Sequence, residues 1–332
     1  MAPSRRTRIH FCLGLIISAA AVYLCLRKID FNALGAALRA ADYLYILPAM
    51  AAQAGCFFLK GTGWRYLLLP AKKSISPLST TAVLVIGLMV NNLLPAKAGE
   101  LVRAYLIGEK EGLPKSLCLS TILVEHLLDI LVLLMFLLIF LPLVSLPSWL
   151  RTGGIAIGFG AFVFIVALFL VMRREDKFLN WFNRAAGLFP VRIGEKIVSF
   201  AGNILQGLRV VNGRYLFYSF AFLGGMWSLV SLAAFLVMAA FGLSLPFQAA
   251  VMVTVFTAFG KIIPSSPGAV GTYHYLAILV LESFGIGKET ALAYALVLHA
   301  LSFLMEIFLG LVLLLAGPVS LVRIARQAGE TT

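Results

Sequence analysis

Six uninterrupted apolar runs, at about 11–26, 43–59, 117–141, 152–172, 215–241 and 290–316, leave this chain few ways to fold. A helix crossing the ~30 Å hydrocarbon core of a bilayer needs ~17–25 apolar residues. In lipid each backbone N–H and C=O must find its partner inside the protein, so runs of this length predict helices. The expected fold class is all-α: a polytopic integral membrane protein with about six full spans. Composition agrees, with 61% hydrophobic and 12% charged residues and a mean hydropathy of +0.99, against ~25% charged in soluble domains. That excludes a soluble cytosolic enzyme. The first run has the basic flank of a signal peptide (Arg5, Arg6, Arg8), but Tyr23, Leu24 and Leu26 end it and no small-x-small site follows, so it reads as an uncleaved anchor. Cys12, Cys25, Cys56 and Cys118 all lie in or beside apolar runs and read as buried small hydrophobes.

Two further apolar stretches, 78–107 and 247–284, are interrupted at mid-depth. The first carries NNLLPAKAGELVR at 91–103, with Pro95 and Gly99 as breakers. The second carries FGKIIPSSPGAVGTYH at 259–274, broken by Pro264, Pro267, Gly268 and Gly271. Apolar sequence of about half a membrane thickness on both sides of each break predicts re-entrant helical hairpins. With both hairpins returning to their own side and the N-terminus cytoplasmic, 19 Lys and Arg fall on cytoplasmic pieces and 5 on external ones. The positive-inside rule therefore places both termini in the cytoplasm, in the inner (cytoplasmic) cell membrane.

The two broken regions also match one another. GLPKSLCLSTILVEH (112–126) aligns without a gap against GIGKETALAYALVLH (285–299), sharing Gly112/Gly285, Lys115/Lys288 and His126/His299 among six identities. Pro95 and Gly99 have the same spacing as Pro264 and Gly268. The chain thus reads as one membrane domain, 1–332, containing repeat 1 at 78–141 and repeat 2 at 247–316 in inverted topology. Between them, 173–214 reads as basic amphipathic helices on the inner leaflet, or alternatively as a solvated linker.

Ionisable side chains at membrane depth cost at least ~2.5–3.5 kcal/mol each on insertion scales, so they must pair or line water. The candidates are Lys97, Glu100 and Arg103 at the first break, and Glu125, His126 and Asp129 in the span after it. Lys261 and His274 flank the second break, and His299 and Glu306 lie in the last span. Half-helices starting near Gly99 and Gly268 would aim unpaired N–H groups at the midplane, where they attract anions. Lys97, Arg103 and Lys261 then suit a phosphate, with Asn91, Asn92, Ser265 and Ser266 as neutral hydrogen-bonding groups. Glu100, Glu125, His126, Asp129, His274, His299 and Glu306 balance charge or carry protons. The plainer alternative is that the carboxylates only neutralise the cations. No spacing indicates a metal site, GIGKET lacks the residues of a phosphate-binding P-loop, and no nucleophile motif is present, so neither cofactor nor enzymatic activity is expected.

NNLLPAKAGELVRA with Glu125, His126 and Asp129, followed by IIPSSPGAVGTYH and the His299 helix, resembles the lysylphosphatidylglycerol synthase transmembrane region family. This flippase-like domain also forms the N-terminal part of the multiple peptide resistance factor. The resemblance covers about 10–318. It implies lipid handling without the aminoacyl-transferase domain, since only about 16 residues follow the last span. The expected function is translocation of an anionic, aminoacylated or polyprenyl-phosphate lipid between leaflets; the alternative is a non-transporting accessory protein of a lipid- or glycan-modifying enzyme. The +13 net charge points to anionic headgroups and not to nucleic acid. Homo-oligomers and a lipid-modifying enzyme partner stay open.

Overall fold

A computed structural model of the chain describes residues 5–94, 97–144, 148, 152–156, 158–160, 163, 213–261 and 266–316. The described residues are all-helical. In chain order they form α1 (Arg5–Leu26), α2 (Phe31–Ala40), α3 (Ile46–Leu68), α4 (Pro77–Leu93), α5 (Ala98–Glu111) and α6 (Lys115–Phe140), then α7 (Gly213–Ala240), α8 (Phe247–Gly260), α9 (Thr272–Ser283) and α10 (Lys288–Ala316). Among them, four helices are long and apolar enough to cross a membrane: Tyr43–Leu68, Lys115–Leu143, Gly213–Ala240 and Lys288–Ala316. Most of the expected span at 152–172, and nearly all of the amphipathic stretch at 173–214, fall outside the described residues.

The central span runs further than its apolar pattern suggests. Lys60 marks the end of the apolar run, yet α3 continues to Leu68. Two features carry it on: Lys60 finds carboxylates inside the protein, and Gly61 and Gly63 let neighbours approach. A methyl group at Gly61 would collide with Thr81 of α4, and one at Gly63 would just fill van der Waals contact with Ser219, Phe222 and Leu223 of α7. Small residues at helix crossings increase van der Waals contact where lipid supplies no hydrophobic drive. The pairing of α3 with α7 is the most extensive among the described residues. With Lys60 inside the bundle, the basic residues divide eighteen to five between the expected cytoplasmic and external pieces, so the bias survives.

Around this central pair the helices contact one another in corresponding sets. α4 packs on α3 and on α5, and α5 on α6; likewise α8 packs on α7 and on α9, and α9 on α10. Each hairpin also reaches across, α4 to α10 and α8 to α6. The two hairpins end alike: Gly112 (φ +66) and Gly285 (φ +80) are left-handed. Leu113 N–H then bonds Gly108 C=O at 2.9 Å, and Ile286 N–H bonds Leu281 C=O at 3.2 Å. Both are Schellman closures that only Gly enters without strain, a physical reason for the Gly112/Gly285 identity.

The hairpin arms meet in that same register. In the first, Gly87 lies so close to Arg103 and Gly99 that a methyl at either glycine would collide; in the second, Gly260 faces Leu276 and the Thr272 carbonyl. Gly268 is therefore not the counterpart of Gly99, as the Pro/Gly spacing had suggested. It lies, with φ +70, in a 3-10 turn at Pro267–Ala269, and α9 starts only at Thr272 after Gly271 (φ +93). The second break holds extra chain before its half-helix begins.

Candidate functional site: two helix breaks and a buried ion network

At the first break the sequence turns at Lys97 (φ +51) and α5 begins at Ala98. Asn91, in the last turn of α4, accepts the Gly99 N–H on Oδ1 at 2.8 Å and donates through Nδ2 to Glu100 Oε1 at 3.0 Å. One amide thus occupies one of the free donors at the start of α5 and fixes a carboxylate in its first turn, where the helix dipole favours negative charge. Glu100 Oε2 accepts from Arg103 Nη1 at 2.9 Å. The other guanidinium nitrogen, Nη2, donates to Glu125 Oε2 on α6.

Arg103 and Glu125 are 0% exposed. Their burial is matched by further partners. The guanidinium carbon sits 4.4 Å from the ring centroid of Trp64, whose indole N–H donates to Thr121 at 3.0 Å. Lys60 Nζ lies 3.3 Å from Glu125 Oε1 and forms a closer pair with Asp129 Oδ2. Asp129 Oδ1 accepts from Trp227 Nε1 of α7 at 3.0 Å. His126 completes the set, with Nε2 3.4 Å from Glu100 and Nδ1 3.9 Å from Asp129. Three carboxylates therefore face two permanent cations and one imidazole. In a low-dielectric interior such contacts are strong, and removing any one member leaves a buried charge without its partner.

This arrangement brings together Asn91, Glu100, Arg103, Glu125, His126 and Asp129, all singled out from sequence. It gives Arg103 to two carboxylates, not to an open binding position; the structural-pairing alternative describes that residue in this conformation. Lys60, Trp64 and Trp227 were not singled out. A lysine one residue beyond an apolar run, with acidic residues spaced i, i+4 on a later span, was the available signal for Lys60.

The second break uses neutral groups. His274, in the first turn of α9, accepts the Gly271 N–H on Nδ1 at 3.3 Å. Its Nε2 must then carry the hydrogen, and it faces His299 Nδ1 at 3.1 Å. Tyr273 stacks on His299 with centroids 4.6 Å apart, and Lys261 Nζ lies 5.4 Å from the Tyr273 ring centroid. From the other side α1 covers the turn: Ser266 N–H donates to Ser18 Oγ at 2.7 Å. So His126 and His299, identical in the alignment, have different partners. Ser265, Pro264 and Pro95 lie outside the described residues.

The two breaks meet. α4 packs against the Pro267–Ala269 turn, and Asn92, next to Asn91, donates to Glu306 Oε2 of α10 at 2.6 Å. Lys97 and Lys261, one at each break, are exposed and make no ion pair among the described residues. No group of His, Cys, Asp and Glu among those residues is arranged to hold a metal ion. Cys25, Cys56 and Cys118 are free and buried.

Long apolar helices surrounding two broken hairpins, with a charge network at membrane depth, define a multi-pass integral membrane protein. The chain matches the family described as the lysylphosphatidylglycerol synthase TM region over residues 11–310, and it belongs to that family. It is similar to two UPF0104 membrane proteins of Methanothermobacter thermautotrophicus. One is 26% identical over 289 residues, covering 81% of this chain and 82% of the relative; the other is 22% identical over 291 residues, covering 81% and 84%. A third relative, UPF0104 membrane protein MJ1078 of Methanocaldococcus jannaschii, is 23% identical over 235 residues, which are 68% of this chain and 93% of that protein.

Proposed function

We propose that this protein is a lipid translocase of the cytoplasmic membrane, with both termini in the cytoplasm and its two hairpin-containing halves in inverted orientation. The observation that carries the reading is the convergence of the two breaks through α4 and the Asn92–Glu306 contact. Polar groups concentrated where broken helices meet are how transporters hold a headgroup near the midplane. Lys97 and Lys261, exposed and without ion pairs among the described residues, supply the positive charge for a phosphate, with Ser266 and Asn92 close to the same convergence. Arg103 acts one step back: pinned by Glu100 and Glu125, it sets the position of α5 and so of Lys97. The substrate class is a lipid with a phosphate headgroup, whether anionic, aminoacylated or polyprenyl. The family name, which refers to a phosphatidylglycerol-modifying synthase, supports lipid handling. The chain's role is transport and not catalysis.

The test is reconstitution into vesicles that contain fluorescent phosphatidylglycerol, with outer-leaflet label quenched chemically. The protein is expected to speed loss of the protected fraction, and a Lys97→Ala, Lys261→Ala double variant to slow it about tenfold. Protein-containing vesicles that retain the label as long as empty ones, for phosphatidylglycerol, its aminoacylated form and a polyprenyl phosphate alike, would refute the reading.

A further inference from the structure

Four carboxylates lie near the convergence, and one is treated differently. Glu100, Glu125 and Asp129 each contact Lys60, Arg103 or both His126 and a cation. Glu306 forms no ion pair among the described residues. Its partner is a neutral amide, Asn92 Nδ2, at 2.6 Å. It is ten residues from the end of α10 at Ala316, about 15 Å of helix rise, well inside the span.

The surroundings offer no cation in contact. Lys261 at the end of α8, Lys60 of α3 and Tyr273 of α9 are near enough to exert a field on it, but none pairs with it. α4, which carries Asn92, has no charged residue. α2 offers Arg39 and α7 only Arg214 in its first turn. α9 adds His274, which is committed to Gly271 and His299 on its two nitrogens, and Glu282 near its far end. On α10 itself, Lys288 and Glu289 lie at the start and His299 is two turns away.

A carboxyl so placed has a neutral partner that suits either of its protonation forms. An arginine partner would hold it ionised, and a carbonyl partner would hold it protonated; an amide N–H donates to an oxygen of either form. Asn92 also adjoins Asn91, the residue that fixes Glu100 and the start of α5. A change at Glu306 therefore reaches the first break through two adjacent side chains, while the exposed Lys261, whose field reaches it, is a cation able to replace the proton.

We propose that Glu306 is the proton-binding site that couples headgroup movement to the transmembrane proton gradient, taking up a proton while held by Asn92 and releasing it to the opposite aqueous side when Lys261 comes into contact. The coupling rests on the translocase reading above; the proton site does not. In vesicles containing fluorescent phosphatidylglycerol, an imposed proton gradient is expected to change the wild-type rate several-fold. Glu306→Gln should give one rate with or without the gradient, and Glu306→Asp should retain a response. A wild type that moves lipid indifferently to the gradient, or a Glu306→Gln variant that still responds, overturns the coupling and leaves the translocase intact. If the wild type moves no lipid, the translocase reading and the coupling fail together. Infrared difference spectra on the same vesicles across a pH step then decide the site. A carboxylic-acid band present in wild type and missing in Glu306→Gln supports it, and identical spectra overturn it.

Discussion

The two helix breaks are held by opposite chemistry. The first is tied by Arg103, Lys60 and three carboxylates, with Trp64 and Trp227 closing the sides. The second is tied by two neutral imidazoles, a stacked tyrosine and a serine on α1. Ionic contacts in a dry interior are costly to break one partner at a time, whereas neutral hydrogen bonds contribute only ~0.5–1.5 kcal/mol each. The first break is therefore the costlier of the two to disrupt one partner at a time.

The sharpest way to break this comparison is at Arg103. Arg103→Ala should destabilise the detergent-solubilised protein by about 3–5 kcal/mol, the usual cost of orphaning a buried charge. Thermal unfolding followed by size-exclusion recovery measures it; a cost below about 1 kcal/mol would mean that the first break is not the costlier one. Next in size is the Lys60–Asp129 pair. Lys60→Met and Asp129→Asn should each cost about 2–4 kcal/mol, and the double variant less than their sum by at least ~1 kcal/mol, the sign of direct coupling. At the second break, His299→Phe keeps an aromatic ring against Tyr273 but ends the contact with His274, and should cost only ~1–2 kcal/mol. Hydrogen exchange at residues 266–274 should rise in that variant while residues 97–103 stay as protected as before. The smallest effect belongs to the exposed pair Lys115–Glu109, 2.6 Å apart across the turn between α5 and α6. Lys115→Ala should change stability by under ~1 kcal/mol, and less still at high salt.

Much of the plan was legible because bilayers simplify the code. Run length and Pro/Gly interruption marked the spans and the breaks, and the Gly112/Gly285 identity, read only as part of a repeat, falls on two left-handed helix ends. What stayed hidden depended on contacts between distant segments. Lys60 looked like the first residue of a loop, because hydropathy counts its charge and cannot count Asp129 waiting on α6. Gly268 looked equivalent to Gly99, because Pro/Gly spacing records where a helix stops and not how many residues turn before it resumes. His126 and His299 match in sequence, yet their neighbours at the preceding break differ: Glu100 in one half, His274 in the other. Arg103 was expected to meet a ligand, and only the packing of α5 on α6 reveals Glu125 opposite its second nitrogen.

Lys288 carries a final consequence. Its ammonium donates to the Leu24 and Arg27 carbonyls at 2.8 Å each, so the first turn of α10 holds the end of α1. Nearly every member of the charge network lies between residues 60 and 129, Trp227 being the exception. During synthesis, the first hairpin can therefore settle while most of the chain is still on the ribosome. Among the described residues, the main contacts of α1 are instead with late parts of the chain, α9 and Lys288. Its seat on α9 and its tether to Lys288 form only once the C-terminal part of the chain has been made.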